Sequence, residues 1–208
     1  MLRRTLLMST LALTLLGCKH YEPVELITTA VAETTAIVLE TEPTKSVQEI
    51  KEAEAQARIH EISTIENPMT WFIEYKKILE EYSPWIDAPE TIYDVYTSED
   101  IRYMLKCIET ETHGQNFIPK VNVANVILNR VASERFPNQP YAVITAPKQF
   151  AYGRENVADD TVLALEYAFL TADTTQGALF FHSFKTAIPT FSNAKYIFTD
   201  EAGHHFYK

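Results

Sequence analysis

Residues 108–114 read Ile-Glu-Thr-Glu-Thr-His-Gly, and residues 121–131 read Val-Asn-Val-Ala-Asn-Val-Ile-Leu-Asn-Arg-Val. Met104, Cys107 and Ile108 precede the second glutamate of the first stretch at helical spacing, which predicts one shared apolar face. Gly114 is expected to end this helix, and the apolar second stretch predicts another. The two helices decide the fold, and they place one carboxylate, Glu111, on an inward face.

Glu109 and Glu111 are not expected to act as a pair. They lie two positions apart, which is about 200° around a helix. We expect Glu109 to be a solvated residue near Lys106. Burial and a position at a helix C-terminus would both raise the pKa of Glu111, so that it could protonate a glycosidic oxygen. The alternative is a glutamate on the last helical turn that points into water.

Composition limits the class of protein. The chain has 208 residues and a formal charge of −10, which argues against nucleic acid as a partner because that needs a basic face. The length suits one domain with attached segments, and the hydrophobic content of 46% is enough for a packed core.

The N-terminus has the pattern of an export signal. Arg3 and Arg4 precede a short apolar run at residues 6–16, which is too short to span a bilayer. Residues 15–18, Leu-Leu-Gly-Cys, resemble the lipobox of bacterial lipoproteins. This implies cleavage before Cys18 and lipid on its sulfur, which would anchor the exported chain to the outer face of a bacterial membrane. The alternative is an ordinary signal peptide with an incidental cysteine.

Composition also divides the chain into four segments. We predict a signal peptide at 1–17, a lipid-anchored tether at 18–45, a helical stalk or packing segment at 46–95 and a compact domain at 96–208. The stalk should contain a helix from Ser46 to about Ile62 and a second, aromatic helix from Trp71 to Trp85. The aromatic face of that second helix either packs against the domain or stacks on sugar rings.

The compact domain is expected to be mainly α (α+β). The first opening stretch predicts a helix capped by residues 98–100, and the second predicts a helix at 121–134. A third helix should begin at Asp159 and run through Leu170. Aromatic residues around 179–181 and 196–198 predict short strands or irregular segments near the C-terminus.

Several motifs occur in the order typical of one known family. They are Arg-Phe-Pro at 135–137, Val-Ile at 143–144, Gln-Phe at 149–150, Gly-Ala-Leu-Phe at 177–180, and His204, Phe206 and Tyr207. Together with the opening stretches they make residues 96–208 resemble the spore-cortex-lytic (SleB/CwlJ-like) cell wall hydrolases. The chain departs from that family at Pro119 and Ala202, where glycine is usual.

The resemblance implies a lysozyme-like, mainly helical fold that cleaves peptidoglycan glycan strands without a cofactor, with Glu111 as the catalytic acid. In a lytic transglycosylase, one glutamate protonates the oxygen between N-acetylmuramic acid and N-acetylglucosamine. It then helps the muramoyl 6-hydroxyl attack the anomeric carbon. A hydrolase would need a second carboxylate. Glu155, Asp159 and Asp160 are the candidates for it, but they look like helix-start residues.

Further positions have weaker assignments. Amides and aromatic rings in a loop after residue 147, and histidines near the C-terminus, could bind sugar N-acetyl groups and ring faces. For each of them an ordinary structural role is the alternative. The predicted substrate-binding residues are Gln149, Phe150, Tyr152, His182 and His204.

Three other polar residues are expected to be structural. Asn129 and Arg130 should hold the fold together. Cys107 should be a buried small hydrophobe rather than a catalytic thiol, because no thiol-protease signature surrounds it.

Two other functions stay open at this point. His113, His182, His204 and His205 could supply zinc ligands for an N-acetylmuramoyl-L-alanine amidase, although no His-Glu-x-x-His spacing occurs. A non-catalytic lipoprotein that binds wall polymer is the third possibility. We favour the lytic transglycosylase and expect no metal.

Overall fold

The computed structural model of the chain describes residues 45–183 and 193–208. The predicted signal peptide, Cys18 and nearly all of the predicted tether lie outside these residues. Residues Ser46–Lys208 form one compact unit. No helix within the described residues is long and apolar enough to cross a membrane.

The described residues are mainly helical, with a small sheet at the C-terminal end, as predicted. In chain order the elements are α1 Val47–Ile62, α2 Pro68–Tyr82, α3 Ile92–Val95, α4 Ser98–Glu111, α5 Phe117–Ala132, α6 Pro140–Thr145, α7 Asp159–Leu170, β1 Phe180–Ser183, β2 Tyr196–Thr199 and β3 His204–Tyr207.

Helices α1 and α2 pack against each other. Ser46 caps α1 in a capping box, because its hydroxyl accepts from the Glu49 N–H while the Glu49 carboxylate accepts from the Ser46 N–H. Ala55 of α1 packs with Ile78 and Tyr82 of α2 in a small buried cluster. Both helices were predicted, but α2 begins at Pro68 and ends at Tyr82, earlier than the expected range of 71–85.

The aromatic face of α2 packs on α7. The Phe72 ring is 1% exposed and meets the Tyr167 ring of α7 edge-on, with centroids 5.3 Å apart. Trp71 makes a similar contact with Tyr167 at 6.2 Å. Of the two interpretations of this face, packing is the one that the contacts support.

Helix α5 runs through the main core. Every residue from 121 to 128 is buried, and this helix packs between α4 and α7. It begins at Phe117, before the predicted start at 121. Pro119 does not prevent this, because it lies in the first turn, where backbone N–H groups have no intrahelical partner.

Helix α4 carries Glu111 as its last residue. Thr97, rather than Ser98, is the N-cap, in a capping box with Asp100. Gly114 adopts φ +75°, a left-handed conformation that glycine reaches without steric cost. The chain therefore turns soon after Glu111 and starts α5.

The three strands form an antiparallel sheet in the order β1-β3-β2. Strands β1 and β2 match the predicted segments, whereas β3 and the short helices α3 and α6 were not predicted. His204 and Phe206 of β3 are buried, and Phe206 packs with Val126 of α5 and Ala178. The sheet therefore closes one side of the core.

Candidate active site

Glu111 is held at the end of α4 by a backbone N–H. The Ala151 N–H donates to Glu111 Oε1 at 2.6 Å. Ala151 lies in the segment between α6 and α7, where Lys148 adopts φ 61°. The Glu111 side chain is half-buried, so the carboxyl combines one fixed contact with access to solvent.

Burial raises the pKa of the Glu111 carboxyl above its ordinary value. The Ala151 N–H and electrostatic interactions with His204 and Arg130 act in the opposite direction, but burial is the larger effect. Cys107 lies one helical turn before Glu111 and is fully buried. Burial and the neighbouring Glu111 raise the pKa of the Cys107 thiol, so it stays a neutral, packed side chain as predicted.

Arg130 of α5 joins three parts of the domain. Its Nε donates to the Leu179 carbonyl at 2.6 Å, and its Nη1 donates to Gln149 Oε1 at 3.1 Å. The guanidinium lies over the Phe150 ring, 4.5 Å from the centroid. Burial lowers the pKa of Arg130 to about 10, so the group remains charged at neutral pH.

Asn129 makes the structural contacts that were predicted. Its Nδ2 lies 2.9 Å from Asp173 Oδ2, and 3.2 Å from both Thr175 Oγ1 and the Ala178 carbonyl. These contacts connect α5 to the turn that precedes β1.

His204 lies on the inner face of the sheet and is 2% exposed. Its Nδ1 lies 3.2 Å from Asp200 Oδ2, and its backbone N–H donates to Asp200 Oδ1 at 2.9 Å. Burial alone would raise the pKa of Asp200, but the bonds from His204 and Asn122 outweigh it and lower that pKa. The structure thus brings His204 close enough to Glu111 for an electrostatic interaction with the carboxyl.

Gln115 also belongs to this site, although it was not among the predicted residues. Its Nε2 lies 3.3 Å from His204 Nε2. Its Oε1 is buried and has no hydrogen-bond partner within residues 45–183 and 193–208. A glutamine just after a helix-ending glycine carries no signal in a single sequence that could have identified it.

The predicted residues Gln149, Phe150 and Tyr152 lie in the segment that holds Glu111. Gln149 is exposed, Phe150 packs against Phe181 with ring centroids 6.1 Å apart, and Tyr152 packs against Tyr103 at 5.6 Å. The structure therefore brings these three positions and His204 near the Glu111 carboxyl.

His182 lies on a different face from these residues. It is opposite His205 in the β1–β3 register, and the two rings stack with centroids 5.0 Å apart. Its Nε2 lies 2.9 Å from the Tyr207 hydroxyl. Side chains alternate along a strand, so His182 points away from the face that carries Phe181 and His204. The structure does not bring it to Glu111.

The prediction that Glu109 is solvated is wrong. Glu109 is 3% exposed, and its Oε2 accepts from Thr161 Oγ1 at 2.5 Å and from the Ala158 N–H at 3.2 Å. The start of α7 covers this side of α4, which spacing within α4 could not reveal. Lys106 pairs with Glu155 instead.

The environment of Glu109 shifts its pKa in the direction opposite to that of Glu111. Burial alone would raise the pKa of Glu109. The hydrogen bonds from Thr161, His113 and Ala158 and the charge of Lys120 outweigh burial and lower the pKa to about 2.

The other carboxylates considered as a second catalytic group lie at the start of α7 or in the segment before it. Asp159 and Asp160 occupy the first turn of α7, as expected, and Asp160 pairs with Lys120 at 2.6 Å. Glu155 does not start a helix; it lies in the segment before α7. Within residues 45–183 and 193–208 no three His, Cys, Asp or Glu side chains are grouped so that they could hold a metal ion.

The sequence resembles known cell wall enzymes. Residues 114–208 match the family model described as Cell Wall Hydrolase, and Glu111 lies just ahead of that span. The chain is 42% identical over 55 residues to a spore cortex-lytic enzyme of Bacillus cereus. This match covers 26% of the chain and 21% of the relative, so the chain spans about a fifth of the length of the curated relatives it matches.

Two solved structures resemble the fold. The catalytic domain of the Bacillus cereus SleB protein aligns with a TM-score of 0.50 and 29% identity, over 54% of this chain and 92% of that one. The catalytic domain of the germination-specific lytic transglycosylase SleB from Bacillus anthracis aligns with a TM-score of 0.51 and 28% identity, over 56% of this chain and 100% of that one. Together, these findings show that the C-terminal part of this chain is similar in sequence to the Cell Wall Hydrolase family and in fold to the SleB catalytic domains.

Proposed function

We propose that this chain cleaves the bond between N-acetylmuramic acid and N-acetylglucosamine in peptidoglycan, as a lytic transglycosylase with Glu111 as its single acid. The observation that carries the proposal is the half-buried Glu111 carboxyl, whose raised pKa suits a proton donor and whose Oε1 is fixed by the Ala151 N–H. The match of residues 114–208 to the Cell Wall Hydrolase family, and the similarity to a spore cortex-lytic enzyme, support the substrate class.

The proposed reaction uses both protonation states of Glu111. The protonated carboxyl gives its proton to the glycosidic oxygen as the bond to the anomeric carbon breaks. The ionised carboxylate then takes the proton of the muramoyl 6-hydroxyl as that oxygen attacks the anomeric carbon. A 1,6-anhydro end forms and Glu111 is protonated again. Between the steps, the Ala151 N–H, the charge of Arg130 and the electrostatic interaction with His204 stabilise the carboxylate.

The surroundings of the other carboxylates favour transglycosylation over hydrolysis. A hydrolytic glycosidase uses a second carboxylate to activate water or to attack the sugar. The Glu109 carboxylate is hydrogen-bonded to Thr161, Ala158 and His113. Glu155 forms a salt bridge with Lys106. The proposed mechanism requires neither of them.

Substrate contacts are proposed for the residues grouped around Glu111. Gln149 is exposed, Phe150 and Tyr152 are half-buried, and all three flank Ala151, which donates to Glu111. His204 is buried and interacts electrostatically with the same carboxyl. His182 stays a prediction, and it would require the substrate to reach the other face of the sheet.

We further propose export of the chain and a lipid anchor at Cys18. The Leu-Leu-Gly-Cys sequence at 15–18 and an extracellular substrate support this. Cells grown with a palmitate analogue should label the wild-type protein, and the Cys18→Ser variant should lose the label. Unchanged labelling of the variant would contradict the anchor.

Digestion of purified cell wall tests the activity. The full chain should release muropeptides with 1,6-anhydro ends, which mass spectrometry identifies. Glu111→Gln should reduce the rate by about 10²–10⁴-fold, the usual contribution of a general acid. Glu99→Gln, at an exposed position of the same helix, should leave it unchanged.

The products separate the alternatives. Reducing sugar ends would indicate a hydrolase that uses a second carboxylate. Freed stem peptides, or loss of activity on adding a chelator, would indicate the zinc amidase and contradict the proposal. Wall binding without any release would indicate a non-catalytic lipoprotein.

A further inference from the structure

Arg130 is a buried charge, at 4% exposed, and its hydrogen bonds within residues 45–183 and 193–208 go to neutral groups. Glu111 interacts with its charge electrostatically, without a direct salt bridge. Burying a cation without a paired anion is costly. Its position therefore has to be explained by the groups that it does contact.

Those groups belong to separate parts of the domain. From α5, the guanidinium donates to the Leu179 carbonyl just before β1 and to Gln149 Oε1 in the segment after α6. Its plane also lies near the rings of Phe136, Phe150 and Phe180. Two directed donors and a flat face suit a guanidinium, and a lysine ammonium cannot reproduce that combination.

The contacts with Gln149 and Phe150 matter because Ala151 follows them. The Ala151 N–H is the backbone donor to Glu111, and a backbone N–H has no rotamers of its own. Its direction is set by the residues on either side. Fixing Gln149 and Phe150 therefore fixes the direction in which the Ala151 N–H points.

We propose that Arg130 is a positioning residue for the acid: its guanidinium holds Gln149 and Phe150, and through them the Ala151 N–H that fixes the Glu111 carboxyl. The geometric part of this proposal stands on contacts alone. Its consequence for catalysis rests on the proposed function of Glu111.

The charge of Arg130 has a second effect in the same place. The groups that act on the Glu111 proton are Arg130 from α5, the Ala151 N–H and His204 from β3. Cys107 of α4 faces the same carboxyl, but its raised pKa keeps it neutral. Arg130 favours the ionised carboxylate, which the second step of the proposed reaction uses. Arg130→Lys keeps this charge and removes the paired contacts, so it separates positioning from charge.

A single NMR signal reports the position of the Ala151 N–H. Phe150–Ala151 is the one Phe-Ala pair in the sequence, so the full chain labelled with ¹³C-carbonyl phenylalanine and ¹⁵N-alanine gives one selected amide. In the wild type the chemical shift of this amide should change with pH as Glu111 titrates, because the amide N–H is hydrogen-bonded to that carboxylate. In Arg130→Lys the pH-dependent shift should be lost.

The kinetic effect should appear in kcat. A displacement of about 1 Å at a reacting group costs about 10²-fold in rate, so Arg130→Lys should lower kcat about 10–100-fold with little change in KM. Arg135→Lys is the matched control, because Arg135 is exposed and lies over the same Phe180 ring, at 5.5 Å. It should keep the wild-type amide shift and kcat.

Gln149→Leu is the second variant, and its only measurement is the NMR signal of the Ala151 amide. Gln149 is exposed, so its replacement leaves the core intact even if Arg130→Lys fails to fold. It should weaken the pH-dependent shift. If the Ala151 amide of Arg130→Lys kept the pH-dependent chemical-shift change of the wild type, the proposal would be overturned. If Arg130→Lys does not fold, the same result in Gln149→Leu would overturn it. If the wild-type chain were inactive on cell wall, the proposed function would be overturned instead. The Ala151 amide signal would still test whether Arg130 positions the Glu111 carboxyl.

Discussion

Glu111 has surroundings that act on its proton in opposite directions. Burial favours the neutral carboxyl, whereas the Ala151 N–H, His204 and Arg130 favour the carboxylate. In the proposed reaction Glu111 first gives a proton and then takes one back, so both the neutral and the ionised form must be accessible. The raised pKa supplies the first form, and the fixed donor and nearby charges keep the second from being prohibitively costly.

The raised pKa of Glu111 also predicts a pH-dependent effect on stability. The folded chain holds this proton more tightly than the unfolded chain, whose glutamate titrates near 4.5. The cost of ionising Glu111 in the folded state is therefore absent below that pH and appears as pH rises through the raised value. Glu111→Gln keeps an oxygen for the Ala151 N–H and removes this cost. It should be more stable than wild type at pH 8 and equally stable at pH 4.

Urea unfolding at the two pH values measures this difference. Glu99→Gln on the same helix is exposed and should show no such pH dependence. A Glu111→Gln variant less stable than wild type at pH 8 would mean that the ionised carboxylate stabilises the fold, and it would contradict the raised pKa.

Helix α4 illustrates how neighbouring elements decide what a side chain does. Two glutamates lie two positions apart on this helix. The start of α7 surrounds Glu109 with donors, whereas the segment after α6 offers Glu111 one donor. Glu109 thus ties α4 to α7, and through Lys120, 3.9 Å from its Oε2, to α5. Glu111 stays free to act on a ligand.

Removing the Glu109 charge should weaken the contact of α4 with α7 and α5. Hydrogen bonds to a buried charged group contribute about 1.5–3 kcal/mol each, and we expect Glu109→Gln to lose about 2–3 kcal/mol of unfolding free energy at pH 7. The folded pKa of about 2 lies below the ordinary 4.5. The carboxylate's contribution is therefore complete above 4.5 and is lost as pH falls towards 2.

Denaturation of Glu109→Gln and wild type at pH 7 and pH 3 gives the comparison. The gap between the two proteins should be narrower at pH 3. Replacement of the exposed Glu99, also on α4, should change stability by less than about 0.5 kcal/mol at either pH. A constant gap for Glu109→Gln would show that lost packing, and not lost charge, destabilises it.

The elements that the sequence predicted were those with a signal inside a short window. The capping residues of α1, the apolar face of α4 and the continuous apolar run of α5 are of this kind. What the sequence could not predict depends on partners far along the chain. The Ala151 N–H meets Glu111 across 40 positions, Thr161 meets Glu109 across 52, and Gln115 meets His204 across 89. Helical spacing put Glu111 and Glu109 on different faces of α4, but only the family resemblance assigned Glu111 the role of the acid.

At the scale of the whole molecule, the α1–α2 pair is joined to the rest through α7. Phe72 and Trp71 lie against Tyr167, and Tyr167 also contacts Phe117 at the start of α5. Lys76 of α2 pairs with Glu166 of α7 at 2.5 Å. These contacts make α1 and α2 part of the compact unit 46–208. The expected boundary near residue 96 remains a prediction that unfolding experiments can test.

Phe72→Ala measures how strongly the two parts are coupled. Truncating a buried phenylalanine costs about 3–5 kcal/mol, and here the loss falls on the contact between α2 and α7. Trp71 and Trp85 are the two tryptophans of the chain, so fluorescence follows the α1–α2 part. The Phe150–Ala151 amide follows the catalytic part. If the unit unfolds cooperatively, Phe72→Ala should shift both transitions to lower urea by the same amount.

Val47→Ala is the control, because Val47 is 61% exposed on α1, and it should move neither transition by more than about 0.5 kcal/mol. A Phe72→Ala chain whose fluorescence transition moves alone would show that residues 46–95 unfold independently, as a stalk would. Equal shifts would show that α2 supports α7. Since α7 supplies the donors around Glu109 on the helix that carries Glu111, the N-terminal helices would then contribute to holding the acid in place.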